Sequence, residues 1–394
     1  MLQFDEAIAL LARHVRPLAT QSVPIGEAQG RYLAEDLHAR EDAPRADVSM
    51  MDGYAVRHGD LATASSFAVV GEARPGMPFA NPIGVGEAVR IFTGARVPVG
   101  ADCVVMQEYA STVDGRVQFA DGHGPARHIR AAGSDFRKGD TLLEAGTRLS
   151  PQALVAAGAA DMAKLVVGGV PRVAIIATGD ELVAPGEAHK TADARPETAS
   201  YGVAALARGM GASVTMRERG RDDLDSLSAF ADRALAEADC VVLIGGASVG
   251  EHDLSRPLFA ARDMKPVFAR LAIRPGKPVW MGMIGSTPIL GLPGNPTSAM
   301  VTARLFLSPL LAAFQGGSVD AELRFRPMPL AEPLDAEGDR ETFVRASTTP
   351  HGLVPATNQH SGAQAPLGIS DLLIRRAPHA PACAAGTLVQ ALPL

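Results

Sequence analysis

The stretch Val173-Ala-Ile-Ile-Ala177, followed by Thr178-Gly-Asp-Glu-Leu182, decides the fold of this chain. Five apolar residues between Pro171 and Gly179 are too few for a stable helix and rich in β-branched side chains, so they read as a buried strand. Working outward, residues 200–210 read as a helix and Ser213-Val-Thr-Met216 as a second strand. Leu224, Leu227, Ala231 and Leu235 recur at helical spacing behind Asp222 and Asp223, both good N-cap residues. Cys240-Val-Val-Leu-Ile244 is another buried strand, and residues 269–273, 279–283 and 288–290 read as further strands before a helix over 297–314. Strands and helices alternating at these intervals predict a doubly wound, mostly parallel α/β sheet domain over 171–315.

The flanks have a different texture. Residues 54–140 carry short alternating runs such as Phe67-Ala-Val-Val70 and Ala88-Val-Arg-Ile-Phe92 between Gly and Pro, which predicts a small inserted β domain. Residues 316–394 are Pro-rich without a long helical period and read as a C-terminal, barrel-like β domain. Residues 1–53 and 141–170 would supply an N-terminal helix and a connecting layer.

Composition narrows the function. Among 394 residues, 37 Lys+Arg against 43 Asp+Glu give a formal charge of −6, and aromatics are 5%. Neither a basic field nor a stacking platform is available, so nucleic acid and membrane surfaces are poor partners. Cys103, Cys240 and Cys383 are far apart and odd in number, which offers neither a disulfide framework nor a zinc pattern. Asp5 and Glu6 stand where a signal peptide would need basic residues. The most apolar stretch, residues 153–170, is interrupted by Asp161 and Lys164. These features lead us to expect a soluble cytoplasmic protein.

In an open α/β sheet, ligands bind beyond the carboxyl ends of the strands. The residues just past each predicted strand are therefore informative. Glu181 comes after the first and Asp222 after the second; Gly245-Gly-Ala-Ser-Val-Gly250 and Asp253 come after the third. Arg270, Arg274 and Lys277 surround the fourth. Backbone N–H groups of a Gly-rich loop can approach an anion, with Ser248 adding a hydroxyl, although the loop lacks dinucleotide or Walker spacing. Each acid alone could be a cap or a solvated turn residue. Carboxylates, a Gly-rich loop and cations on one edge point instead to Mg²⁺ chemistry on a phosphorylated small molecule.

At these residues the chain resembles the molybdopterin molybdenumtransferases, which include the E domain of gephyrin. The matching stretches are Ser49-Met-Met-Asp-Gly-Tyr-Ala-Val56, Arg90-Ile-Phe-Thr-Gly-Ala95, Gly133-Ser-Asp135 and Thr178-Gly-Asp-Glu-Leu182. They continue with Gly245–Gly250 and Asp253, Arg274-Pro-Gly-Lys-Pro278 and Gly291-Leu-Pro-Gly-Asn-Pro296. The resemblance implies an elongated, four-domain homodimer that inserts molybdate into adenylylated molybdopterin with Mg²⁺-dependent release of AMP. Carried over by motif, Glu181, Asp222 and Asp253 are the acids of the sheet domain, with Asp222 and Asp253 on the metal. Asp52, Thr93 and Asp135 would line the same cleft from the second chain of the dimer. Gly245, Gly246, Ser248, Gly250, Arg270, Arg274, Lys277, Pro293 and Asn295 would handle the substrate. A molybdopterin adenylyltransferase and molybdoenzyme apoproteins are the implied partners. Arg270 and Arg274 replace two family lysines, and Glu197-Thr-Ala199 stands where the family has Asp-Ser-Asn. The alternatives are a non-catalytic molybdopterin-binding scaffold and a molybdopterin adenylyltransferase, whose Gly-Gly-Thr-Gly loop is absent here.

Overall fold

The computed structural model describes residues 1–246 and 255–394. The chain divides into two compact units, each considered by itself. One contains Met1–Glu35, Ala145–Ser150 and Lys164–Leu394; the other contains Asp36–Glu144 and Pro151–Ala163.

The first unit is organised by a six-stranded sheet. Its elements are α1 (Phe4–His14), β1 (Arg172–Thr178), α2 (Ala199–Gly209), β2 (Ser213–Gly220), α3 (Leu224–Glu237) and β3 (Cys240–Ile244). They continue with α4 (Ser255–Ala260), β4 (Lys265–Ala269), β5 (Trp280–Ile284) and β6 (Thr287–Leu292). The strand order is β2-β1-β3-β6-β5-β4; the first four strands are parallel, and β5 runs antiparallel to both neighbours. Alternation along β1 explains why it is central. Val173, Ile175 and Ala177 join a core shared with α1, α2 and the long helix after β6. Ala174 and Ile176 join the opposite core with Leu227, Ala231 and Ala234 of α3 and Phe259 of α4. A strand buried on both faces reads as a continuous apolar run, as this one does.

Among the described residues one helix is long and apolar enough to cross a membrane, Pro296–Phe314, and it is mostly buried in the first core. A π-helical turn at Ala303–Leu307 interrupts it. Residues 153–170 are divided between the helix Pro151–Ala159 and the strand Lys164–Val167.

The strand expected over residues 269–273 is corrected. β4 ends at Ala269, Arg270 takes a positive φ of 57°, and Ile273–Arg274 pairs with Glu341 and Thr342 in another sheet. That C-terminal sheet has the order Ile273–Arg274, Glu341–Thr349, Leu372–Arg376, Leu388–Pro393 and Arg326–Pro329, with Gly352–Pro355 against Glu341–Thr349.

The second unit carries a six-stranded sheet ordered Cys103–Met106, Gly53–Val56, Glu87–Ile91, Phe67–Ala73, Arg116–Phe119 and Ala110–Val113. Ala55, Val89, Ile91 and Val104 fill one side, while Val56, Phe67, Cys103, Val105 and Val117 fill the other.

Candidate functional site

Register sets the site. Thr178 pairs with Gly220 on one side of β1, while Ala177 pairs with Ile244, which pairs in turn with Leu292. The loops beyond these strand ends therefore emerge together at one sheet edge. The chain leaves β1 for β2 on one side and returns to β3 on the other, so the gap between β1 and β3 is a topological switch point. A cavity of about 630 Å³ opens there, a size typical of small-molecule sites. Thr178, Glu181, Arg195, Glu197, Asp222, Gly245, Gly246, Pro293 and Asn295 are among its lining.

The floor is backbone. Gly245 has φ +98°, and a Cβ there would lie 2.4 Å from the Thr178 carbonyl oxygen. A Cβ at Gly294 would lie 3.3 Å from Gly245 Cα. The close approach of these segments and the positive φ are what require glycine at 245.

The two adjacent acids after β2 divide their roles. Asp223 accepts from the Ser226 N–H at 2.9 Å and so caps α3, and this bond, helped by the Ser226 side chain, holds its carboxyl below the usual range. Asp222 is left for the cavity. The Thr178 hydroxyl donates to Asp222 Oδ1 at 2.5 Å and approaches the Arg221 carbonyl at 3.2 Å. Asp180 Oδ1 accepts from the Asp222 N–H at 3.2 Å and pairs with Arg221 at 3.3 Å. Glu181 lines the same cavity with an exposed side chain.

The start of α2 forms another wall. Glu197 is buried, accepting from the Ser200 N–H at 2.7 Å and its hydroxyl at 2.5 Å, with Arg217 at 3.7 Å. The carboxylate thus sits at the positive end of the helix and satisfies a first-turn donor. Thr198 donates its hydroxyl to Gln364 Oε1 at 3.0 Å, and Asn295 Nδ2 donates to Ser361 Oγ at 3.1 Å. Gly362 and Gln364 also line the cavity.

The predicted cations are more dispersed. Arg270, Arg274 and Lys277 are exposed, with no side-chain partner among the described residues. Pro278 lines the main cavity, whereas Arg274 lines a separate cavity of about 470 Å³ with Glu332, Asp335 and Glu337. Ser248, Gly250 and Asp253 lie outside the described residues.

In the second unit, Asp52 Oδ1 accepts from both the N–H and the hydroxyl of Thr93 at 2.8 Å. Those bonds, aided by Arg90, hold the Asp52 carboxyl below its usual range. Arg90 lies over the rings of Tyr54 and Phe92 at 5.1 and 4.9 Å. Asp135 makes a separate ion pair with Arg130 at 3.4 Å.

Sequence reasoning missed Arg195 and Gln364 as cavity residues. The amide-rich run Asn358-Gln-His-Ser-Gly-Ala-Gln364 was the available signal, but it follows no strand of the central sheet.

Comparison with known proteins agrees with this architecture. Residues 2–160 match the MoeA N-terminal region (domain I and II), and residues 174–313 match a probable molybdopterin binding domain. The chain is 34% identical to the molybdopterin molybdenumtransferase of Haemophilus influenzae over 318 residues, 80% of this chain and 78% of that one. It is also 34% identical to the enzyme of that name from Synechococcus elongatus over 377 residues, 92% of each. A crystal structure of a molybdopterin biosynthesis MoeA protein from Pyrococcus horikoshii superposes with a TM-score of 0.83 at 25% identity, covering 99% of each chain. Sequence, sheet order and cavity position converge: the chain belongs to the molybdopterin molybdenumtransferase family.

Proposed function

We propose that this protein inserts molybdate into the dithiolene of adenylylated molybdopterin and releases AMP, a step of molybdenum cofactor biosynthesis. The observation that carries the reading is the switch-point cavity, where Asp222 is oriented by Thr178 beside Glu181, Arg195 and a backbone floor. Oriented carboxylates that can hold a divalent cation, together with the Arg195 guanidinium, suit a phosphorylated ligand.

Mg²⁺ is the proposed cofactor. Among the described residues no three His, Cys, Asp or Glu side chains gather as a metal cage. That donor set still fits Mg²⁺, which takes one or two carboxylates and completes its octahedron with phosphate and water. Asp222 would hold it, and Asp253 would be the second carboxylate. When bound, the ion supplies charge to the phosphate oxygens of the leaving AMP. Thr178 fixes one oxygen of Asp222, which restricts the orientation of this carboxylate at the cavity. Arg195 would hold an oxyanion, and Lys277, next to the lining residue Pro278, would draw molybdate toward the cavity.

We further propose a homodimer in which Asp52, Thr93 and Asp135 of one chain complete the cavity of the other. The reading places the protein in the cytoplasm, receiving substrate from a molybdopterin adenylyltransferase and passing product to molybdoenzyme apoproteins. The test is AMP release from adenylylated molybdopterin, with and without molybdate and Mg²⁺. Molybdate-dependent release is expected; none from the folded wild-type protein would overturn the reading.

A further inference from the structure

Residues 358–364 follow the strand Gly352–Pro355 and reach the rim of the switch-point cavity. They are held from two sides. Behind them lies Arg345, 1% exposed, an unusual burial for a guanidinium. Its Nη1 donates to the Ala363 carbonyl at 3.1 Å, and its Nη2 to the carbonyls of Asn358 at 2.9 Å and His360 at 3.3 Å. Gln359 ties back as well: its Oε1 accepts from the Arg345 N–H at 3.1 Å, and its Nε2 donates to the Arg345 and Ala356 carbonyls at 2.9 Å. In front, the side chains of Thr198, Asn295 and Thr297 bond Gln364, Ser361 and the Ala363 carbonyl.

A buried guanidinium is tolerated only when its donors are matched, and here they are matched to the backbone of one short segment. Bonds at both faces leave that segment little freedom. Gln364 is the member that meets the start of α2. Its Oε1 is taken by Thr198, which leaves the Nε2 donors without a partner among the described residues. Arg195 lines the same cavity and adds a cation for an anionic ligand, whereas the first turn of α2 is already met by the Glu197 carboxylate.

We propose that residues 358–364 are a fixed wall of the cavity, that Arg345 is its positioning residue, and that Gln364 sets specificity by donating to a phosphate oxygen of the substrate. This rests on the reading that the cavity receives adenylylated molybdopterin.

Two readouts test it. In steady-state AMP release, Gln364→Ala should raise KM about tenfold with kcat nearly unchanged, the signature of lost uniform binding. Gln364→Glu, which sets a carboxylate against the phosphate, should raise KM further, to about a hundredfold. Wild-type KM in both variants would overturn the contact. Hydrogen exchange of the substrate-free full chain reads the wall: Arg345→Met, or the milder Arg345→Lys, should speed exchange over 358–364 at least about tenfold while β1 and β3 stay protected. Unchanged exchange in both variants would overturn the wall. If the wild type releases no AMP, the proposed function fails; hydrogen exchange still decides the wall. Calorimetry with AMP alone then decides the contact. Weaker AMP binding by Gln364→Glu supports it; equal affinity, or no binding by the wild type, overturns it.

Discussion

The hydroxyl of Thr178, the last residue of β1, donates to Asp222 Oδ1 at 2.5 Å, just past the end of β2. Two neighbouring strand ends are thereby joined through one carboxylate, and the orientation of Asp222 is set by the parallel register of the sheet. Asp222→Asn keeps the shape and removes the charge. It should lower AMP release at least about a hundredfold with the fold unchanged by circular dichroism. Thr178→Val keeps the charge and removes the orienting bond, so a loss of about tenfold is expected. Full activity in both variants would remove Asp222 from the site.

Asp52 and Thr93 supply a pH prediction. The charged carboxylate is the bonded form, so its folded pKa is lowered. Stability from this link is fully present above the unfolded carboxyl pKa, about 3.9, and fades as pH falls through the lower folded value. Thr93→Val removes the hydroxyl donor and keeps the N–H, so the Asp52 pKa should rise part of the way toward the ordinary value. Carbon-detected NMR titration of the carboxyl reads this directly. An unmoved pKa would mean that the hydroxyl contributes nothing.

Shared sites in the proposed dimer have an arithmetic signature. Asp52→Ala and Glu181→Ala should each be inactive alone. When the two are mixed at random, about half the dimers are heterodimers, and one of their two sites escapes both changes. Activity near a quarter of wild type is expected. A mixture as inactive as its parents, with heterodimers demonstrated, would place the whole site in one chain.

Thiol reactivity reads burial. Cys103 and Cys240 are buried, and burial pushes both thiols up and away from the reactive thiolate. Cys383 is half-buried against the Arg376 guanidinium. A disulfide reagent should therefore modify one thiol in the folded protein, Cys383, and three after unfolding. Rapid loss of two or more in the folded state would contradict the packing.

The sequence made β1 and β3 legible because both of their faces are buried, leaving uninterrupted Val and Ile runs. The helix over 224–237 was legible from its spacing, and Asp223 settles which of two adjacent acids caps it. Residues 269–273 misled because Leu271-Ala-Ile273 is an apolar run that continues the strand pattern, yet Ile273 pairs with Glu341, far along the chain. No local pattern encodes a partner at that distance. Glu181, Asp222, Gly245, Gly246, Pro293 and Asn295 share one cavity because register brings their strands to one edge. Gln364 reaches that edge from another sheet's connection, which strand-end reasoning does not anticipate.

The glycine floor constrains how this family member can diverge. At Gly245 the Thr178 carbonyl leaves no volume for even a methyl group, so mutation cannot reshape the base of the cavity without parting the central strands. Drift toward a different ligand must then be confined to positions on the walls, such as Thr198, Asn295 and Gln364. A library randomised there should yield folded proteins with altered preferences, whereas one randomised at the floor should yield chiefly insoluble chains.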